Sequence, residues 1–220
     1  MSGRGQGAFD LAADKARALK LVHVSRETEK RLDKFVEALL QWQRTTNLVA
    51  PSTLSHLWTR HIADSLQLIE LAPQARIWVD FGAGAGFPGI PIACALVDKL
   101  GTTVHLVESN GKKAAFLREA VRITGVPAKV HQERAEKFGD RWTESVHAVT
   151  ARALAPLKTL CDQAFPLIAR GAIGLFPKGQ DVDAELTEAA KYWSIEAEKA
   201  PSKTSADGCI VVIRGLQPKK

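Results

Sequence analysis

The sequence predicts an α/β fold in which a helical N-terminal extension precedes a mostly parallel β-sheet. Apolar residues recur at helical spacing through about the first seventy residues. From Ile77 onward, short apolar runs alternate with helical stretches, as is typical of βαβ units, and a glycine-rich segment follows the first of these runs. A chain of 220 residues, 45% hydrophobic and 25% charged, is long enough for one compact domain with an appendage.

The extension is predicted to contain two amphipathic helices. Ser25 is a suitable N-cap for the first, whose apolar stripe consists of Leu32, Phe35, Val36, Leu39 and Leu40. The second begins near Ser52 and ends at Pro73. We therefore divide the chain into a flexible or helical N-terminus (1–24), a helical extension (25–75) and a sheet domain (76–220). The opening MSGRGQG is expected to be a disordered start or an expression remnant.

Six strands are predicted in the sheet domain, at residues 76–81, 103–108, 128–132, 147–152, 171–176 and 208–215. Helices are expected between them, at residues 90–97, 112–124, 154–168 and 182–193. We expect the final two strands to form an antiparallel edge.

The composition indicates which kind of partner the protein binds and in which cellular compartment it works. A formal charge of +6 slightly favours a phosphate-bearing partner such as RNA or DNA, although scattered surface lysines give the same total. The three cysteines, Cys94, Cys161 and Cys209, are too far apart to suggest a disulfide framework or a metal site. The sequence shows neither the apolar segment of a signal peptide nor a membrane span. We therefore expect a cytoplasmic protein without a metal or a membrane contact.

The glycine-rich segment GAGAGFPGIP, residues 82–91, contains two overlapping signatures. Gly82, Gly84 and Gly86 form G-x-G-x-G, whereas Gly84, Gly86 and Gly89 form the G-x-G-x-x-G of dinucleotide sites. A strand, a glycine loop and a helix are required by both patterns, so the motif alone does not identify the ligand.

The residues around the loop favour S-adenosylmethionine over a nicotinamide or flavin dinucleotide. Asp80 ends the preceding strand, where a carboxylate would attract a sulfonium and repel a diphosphate. Pro88 and Pro91 remove backbone donors that a phosphate would need. Glu108, at the end of the second strand, lies where an acid can accept ribose hydroxyls, and this position suits either cofactor.

Several segments together resemble the RsmG (GidB) family of methyltransferases: DFGAGAGFPGIPIA, HLVESNGKKAAFLR, RHIADS, TARALA and FPKG. The resemblance runs from about Ser25 to the final strand. It implies a Rossmann-like S-adenosylmethionine-dependent methyltransferase sheet with a helical N-terminal extension. It also implies methylation of guanine N7 in bacterial small-subunit (16S) ribosomal RNA, with that RNA or the small subunit as partner.

The resemblance also implies which residues form the site, since the family's motifs can be matched to positions of this sequence. The cofactor contacts would be Gly82, Phe87, Ala135, Glu136 and Arg152, with Glu108 on the ribose. The family's Asn-Leu-Thr and Ser-Arg-Ala become Asn47-Leu48-Val49 and Ala151-Arg152-Ala153 here. Any role of a hydroxyl at positions 49 and 151 therefore does not carry over.

Guanine N7 already carries an in-plane lone pair, so its methylation needs positioning more than a general base. We expect Arg152, Lys178 and His61 to serve the reaction. His61 lies in RHIADS, where Arg60 and Asp64 could instead form a local ion pair that docks the extension.

RNA contacts are expected from Arg60, Lys112, Lys113, Arg118 and Lys178. Lys112 and Lys113 stand near a helix start, where positive charge opposes the helix dipole, so local stability does not explain them. A solvated basic face is the alternative. Trp42, Trp58 and Trp78 are assigned to packing between the extension and the sheet rather than to base stacking.

We expect the protein to be a monomer. The residues themselves leave two other functions open. The first is an NAD-dependent oxidoreductase that uses Gly84, Gly86 and Gly89. The second is a non-catalytic RNA-binding regulator on the same fold.

Overall fold

The computed structural model describes residues 10–219, and the predicted disordered start MSGRGQG lies outside them. Helices α1 (Leu11–Leu21) and α2 (Arg26–Gln43) open the described chain. The second predicted helix is helical but irregular. It consists of a 3-10 helix (Pro51–His56), a π-helix (Trp58–Ala63) and two short α-helices, α3 (Asp64–Leu66) and α4 (Leu68–Leu71).

The sheet has seven strands in the order β3-β2-β1-β4-β5-β7-β6. The strands are β1 (Ile77–Phe81), β2 (Thr103–Val107), β3 (Ala128–His131), β4 (Ala148–Ala151), β5 (Ile173–Lys178), β6 (Trp193–Pro201) and β7 (Cys209–Pro218). The first five strands are parallel, and β7 runs antiparallel to both β5 and β6. The strand order reverses beside β1 and β4, and in such sheets ligands bind at the carboxyl ends of the strands at this reversal.

Five helices connect the strands: α5 (Gly89–Leu96), α6 (Gly111–Thr124), α7 (Ala135–Arg141), α8 (Leu157–Ile168) and α9 (Val182–Ala189). Helix α8 begins three residues later than predicted, because Pro156 disfavours helical backbone at the residue before it. Helix α7 was not predicted.

Strand β6 was also missed, and the predicted helix 182–193 ends at Ala189 instead. Most β6 side chains are exposed, since it is the last strand of the sheet. A polar edge strand shows little of the apolar alternation from which strands are predicted. The expected antiparallel pairing of β5 with the final strand is present, but β6 forms the edge.

The core lies on both faces of the sheet. In one cluster, α5 and α6 cover one face, and α1, α2 and the irregular segment 51–71 add to this layer; the cluster includes Trp58, Trp78 and Phe116. The Trp42 ring lies 5.7 Å from the Phe116 ring, so the predicted packing role of the three tryptophans is confirmed. The second cluster, around Phe81 and Phe138, covers the other face. The extension thus packs mainly on α5 and α6, the helices that cover this face of the sheet.

Candidate cofactor and substrate site

The glycine loop connects β1 to α5. Gly82, Gly84 and Gly86 have positive φ angles of 64°, 53° and 87°, which side-chain-bearing residues rarely adopt. Gly86 faces inward, since a Cβ there would lie 2.8 Å from Ile90 and 3.2 Å from Phe35. Gly89 is equally confined, between Leu106 and Asp80. The last two glycines of the dinucleotide pattern therefore serve close packing.

Three backbone donors of the loop are already used inside the protein. Gly84 N–H donates to Glu108 Oε2 at 2.9 Å, and Gly89 N–H donates to Asp80 Oδ2 at 2.9 Å. Gly86 N–H donates to the carbonyl of Ala83 at 2.6 Å. A diphosphate cradle depends on such N–H groups, so the loop is poorly suited to a dinucleotide.

Asp80 lies beside the glycine loop as expected, but its carboxyl group is not a simple anion. Its side chain is completely buried, and burial raises the pKa of the carboxyl to about 7 against the opposing hydrogen bond from Gly89. Its Oδ1 atom is buried with no hydrogen-bond partner among the described residues. The carboxyl therefore supports the loop from beneath and leaves one acceptor unsatisfied.

Glu108 follows β2 and is only 8% exposed. Its Oε1 accepts the N–H of Asn110 at 2.7 Å, while Oε2 accepts that of Gly84. Each carboxylate oxygen can accept a further hydrogen bond. The side chain is thus held at the carboxyl edge of the sheet with spare acceptor capacity beside the glycine loop, as a ribose contact requires.

Arg152 follows β4 and connects this edge of the sheet to the extension. Its guanidinium donates to His61 Nδ1 at 2.7 Å and to the carbonyl of Arg60 at 3.0 Å. It also lies 3.6 Å from the Asp64 carboxylate and 5.2 Å above the Phe87 ring. The alternative considered for this segment, a local pair between Arg60 and Asp64, does not form, because the π-helical turn changes which residues share a face.

His61 holds the other side of Arg152. Its ring stacks on Phe87 with centroids 4.8 Å apart, and Nε2 lies 3.0 Å from Thr53 Oγ1. An arginine can only donate, so Nδ1 is the acceptor and the proton resides on Nε2. Burial and the charge of Arg152 lower the histidine's pKa to about 3. His61 is therefore neutral at physiological pH and suited to orienting Arg152 rather than to carrying a proton.

A cleft of about 850 Å³ adjoins this arrangement. It is bounded by the π-helix, the segment after β4, the end of β5 and the turn between β6 and β7. It brings together four predicted site residues, Arg60, His61, Arg152 and Lys178. The glycines of the β1–α5 loop do not line it, because Leu154 lies against Gly82 between the loop and the cleft.

Lys178 is less available than predicted. It is the last residue of β5 rather than part of a loop, and its side chain is only 10% exposed. Its Nζ donates to the Ala155 carbonyl at 2.9 Å and to Glu185 Oε2 at 2.6 Å. Glu185 was not identified from the sequence, because nothing local indicates that it faces the segment after β4.

The other predicted residues lie outside the cleft. Lys112 is exposed and Lys113 is half-buried at the start of α6, while Arg118 on the same helix donates to Gln132 at 3.1 Å. Ala135 is buried at the start of α7, and the exposed Glu136 accepts from Gln163 at 2.7 Å. These residues surround the carboxyl ends of β2 and β3, next to the cofactor side of the sheet.

Residues 10–219 show neither a candidate membrane helix nor a candidate metal site. None of their helices is long and apolar enough to cross a membrane. The same residues contain no group of three or more histidine, cysteine, aspartate or glutamate side chains placed to hold a metal ion.

Comparison with known proteins identifies the family. The family described as GidB, rRNA small subunit methyltransferase G, matches residues 28–211. A Ribosomal RNA small subunit methyltransferase G from Bradyrhizobium sp. (strain BTAi1) is 61% identical over 203 residues, which cover 92% of this chain and 91% of that protein. A protein of the same name from Rhodopseudomonas palustris (strain BisB18) is 56% identical over 210 residues, 96% of this chain and 90% of that one.

Solved structures show the same fold at low sequence identity. An O-methyltransferase from Bacillus cereus in complex with SAH aligns with a TM-score of 0.58 and 14% identity over 91% of this chain and 96% of that chain. Cofactor-bound Rv0187 from MTB aligns with a TM-score of 0.57 and 16% identity, over 96% and 99%. The chain therefore belongs to the GidB family of small-subunit ribosomal RNA methyltransferases, with S-adenosylmethionine as its cofactor, and neither the NAD-dependent oxidoreductase nor the non-catalytic regulator describes it.

Proposed function

We propose that this chain methylates N7 of a guanine in the 16S RNA of the bacterial small ribosomal subunit, acting as a cytoplasmic monomer. The observation that carries the proposal is the Arg152 arrangement. A half-buried guanidinium, held by hydrogen bonds, lies between the glycine loop and an open cleft, next to a histidine that stays neutral. This suits a nucleophile that needs no deprotonation, and guanine N7 is one.

The cofactor contributes a methyl group on a positively charged sulfur. The loop backbone at Gly82, Gly84 and Gly86 would lie along it, with Phe87 at the end of the loop. Glu108 would accept its ribose hydroxyls, and Ala135 and Glu136 would flank its base. The unpartnered Oδ1 of Asp80 would receive a donor, directly or through a water. The buried acceptor and the used loop amides both fit a cationic nucleoside better than a diphosphate.

The target base would enter the cleft next to Arg152. Three contacts from His61, Asp64 and the Arg60 carbonyl restrict this guanidinium, so it can orient a base without first losing rotamer freedom. Arg152 would thereby contribute to positioning the base for in-line attack. Because the guanidinium also lies over the Phe87 ring, its position is tied to that of the glycine loop.

The RNA backbone would be bound by positive charges at the same edge of the sheet. The Arg60 side chain is exposed at the cleft, and Lys112 is exposed at the start of α6. Lys113 and Arg118 extend this surface along the helix. Such contacts supply affinity that depends on salt rather than on sequence.

The proposal is tested by methyl transfer to purified ribosomal subunits. Small and large subunits from cells that lack this protein are incubated with the enzyme and labelled S-adenosylmethionine, and N7-methylguanine is mapped by chemical cleavage of the RNA. Label on one guanine of the small-subunit RNA is expected. Label on large subunits, or on an atom other than N7, would contradict the proposal. Arg170→Ala changes an exposed arginine between α8 and β5, and this control variant should transfer methyl groups as the wild type does.

A further inference from the structure

We propose that Glu185 is a positioning residue for methyl transfer, because it fixes the segment 152–156 that carries Arg152 into the site. The inference rests on the proposed role of Arg152. Glu185 lies on α9, 33 positions along the chain from Arg152, and it does not contact the glycine loop.

The carboxylate of Glu185 holds the C-terminal end of this segment through two contacts. Its Oε2 accepts the backbone N–H of Leu157 at 2.6 Å and the ammonium of Lys178 at 2.6 Å. The same ammonium donates to the carbonyl of Ala155 at 2.9 Å. Glu185 and Lys178 therefore clamp the backbone on both sides of Pro156.

The segment needs such a clamp because its own sequence does not stabilise it. Ala153 has a φ of 52°, and no other non-glycine residue in the described range has a positive φ. An alanine in this region is strained by about 1 kcal/mol or more. Pro156 precedes α8 and provides no side-chain cap, so the Leu157 N–H depends on Glu185. The negative charge also lies at the positive end of α8, which is favourable.

The clamped segment contacts both the glycine loop and the residues around Arg152 at the cleft. At its N-terminal end, Arg152 contacts His61 and Asp64. In its middle, Leu154 lies against Gly82, where an added Cβ would come within 2.6 Å of Leu154 Cδ1. If this segment moved, the Arg152 guanidinium would move with it, and so would Leu154, which separates the glycine loop from the cleft. A misplacement of about 1 Å is enough to slow a reaction roughly 100-fold.

The ion pair also explains why Lys178 faces the cleft without being free in it. Its side chain is 10% exposed, and both of its contacts support the segment 152–156. Lys178 thus acts with Glu185 as a support, in place of the RNA or catalytic contact that the sequence suggested.

The test compares Glu185→Ala and Glu185→Gln with Glu188→Gln. Glu188 is an exposed carboxylate on the same helix, and Lys191 is its only side-chain partner within residues 10–219, so it is a matched control. We expect Glu185→Ala to lower kcat roughly 10- to 100-fold, with KM for the ribosomal subunit changed less than about twofold. Glu185→Gln keeps an acceptor for Leu157 N–H and should lose less, whereas Glu188→Gln should match the wild type. An unchanged kcat in Glu185→Ala would overturn the proposal.

A double-mutant cycle with Arg152→Ala separates positioning from general stability. If Glu185 acts through Arg152, Glu185→Ala should have little further effect on kcat once Arg152 is removed. Equal fold-losses in both backgrounds would indicate a purely structural role and refute the inference.

Amide hydrogen exchange gives a readout that does not need activity. In Glu185→Ala, exchange should accelerate at residues 153–157 and stay unchanged in the central strand β4. Unchanged protection at Leu157 would also overturn the clamp. If the wild type fails to methylate small subunits, the proposed function is wrong, and the exchange result still decides whether Glu185 fixes the segment.

Discussion

Replacing Asp80 with asparagine should change how the stability of the protein depends on pH. The carboxyl is completely buried, and burial raises its pKa from 3.8 to about 7. Arg152 lowers this pKa and Glu108 raises it, but both effects are smaller than that of burial. Asparagine has nearly the same shape, can still accept from Gly89 N–H and does not titrate.

The direction of the change in stability with pH follows from the pH at which the folded and the unfolded protein each release the Asp80 proton. The folded protein keeps the Asp80 proton up to about pH 7, whereas the unfolded chain releases it near pH 4. The stabilising contribution of this group is therefore complete below about pH 4 and is lost as the pH rises through 7. A shift of roughly three pKa units corresponds to about 4 kcal/mol in total, of which about 2 to 3 kcal/mol falls between pH 5 and pH 8.

The measurement is urea unfolding of wild type and Asp80→Asn at several values between pH 5 and pH 8. The free energy of unfolding of the variant should rise relative to that of the wild type by about 2 to 3 kcal/mol over this range. All other titratable groups are the same in both proteins, so their contributions cancel in the difference. The buried amide nitrogen of asparagine adds a cost that does not vary with pH. A difference that stays constant from pH 5 to pH 8 would refute the reasoning.

Three further outcomes are expected. Gly89→Ala should destabilise the protein by about 1 to 3 kcal/mol in urea unfolding, because the added Cβ would overlap Leu106 and Asp80. Gly179→Ala is the control, because a Cβ there would meet open space and its φ is not positive. Arg152→Lys should lower kcat/KM roughly 10- to 100-fold, since lysine cannot make the contacts to His61 and the Arg60 carbonyl together; near-normal turnover would exclude the proposed orienting role. Combined Lys112→Ala and Lys113→Ala should weaken RNA binding and reduce the slope of log affinity against log salt by about 1 to 2, and an unchanged slope in a titration would place these lysines outside the RNA interface.

Much of the fold could be predicted because its signals are local. Ser25 caps α2 by accepting from Thr28 N–H, as its position in the sequence indicates. The central parallel strands β1, β2 and β4 were recognisable from apolar runs, since strands buried on both faces need such side chains. The glycine loop was also readable, because the positive φ angles at Gly82, Gly84 and Gly86 require residues without a Cβ.

The sequence by itself determined the α/β class, the position of the glycine loop and, through its motifs, the methyltransferase family. Only the tertiary structure decided the ionisation of Asp80, the partners of Arg152 and the pairing of Lys178 with Glu185. His61 and Arg152 are 91 positions apart, so no local pattern could bring them together. Local conformation follows from neighbouring residues, whereas burial and hydrogen-bond partners depend on which distant elements pack together, and those contacts set the chemistry of the site.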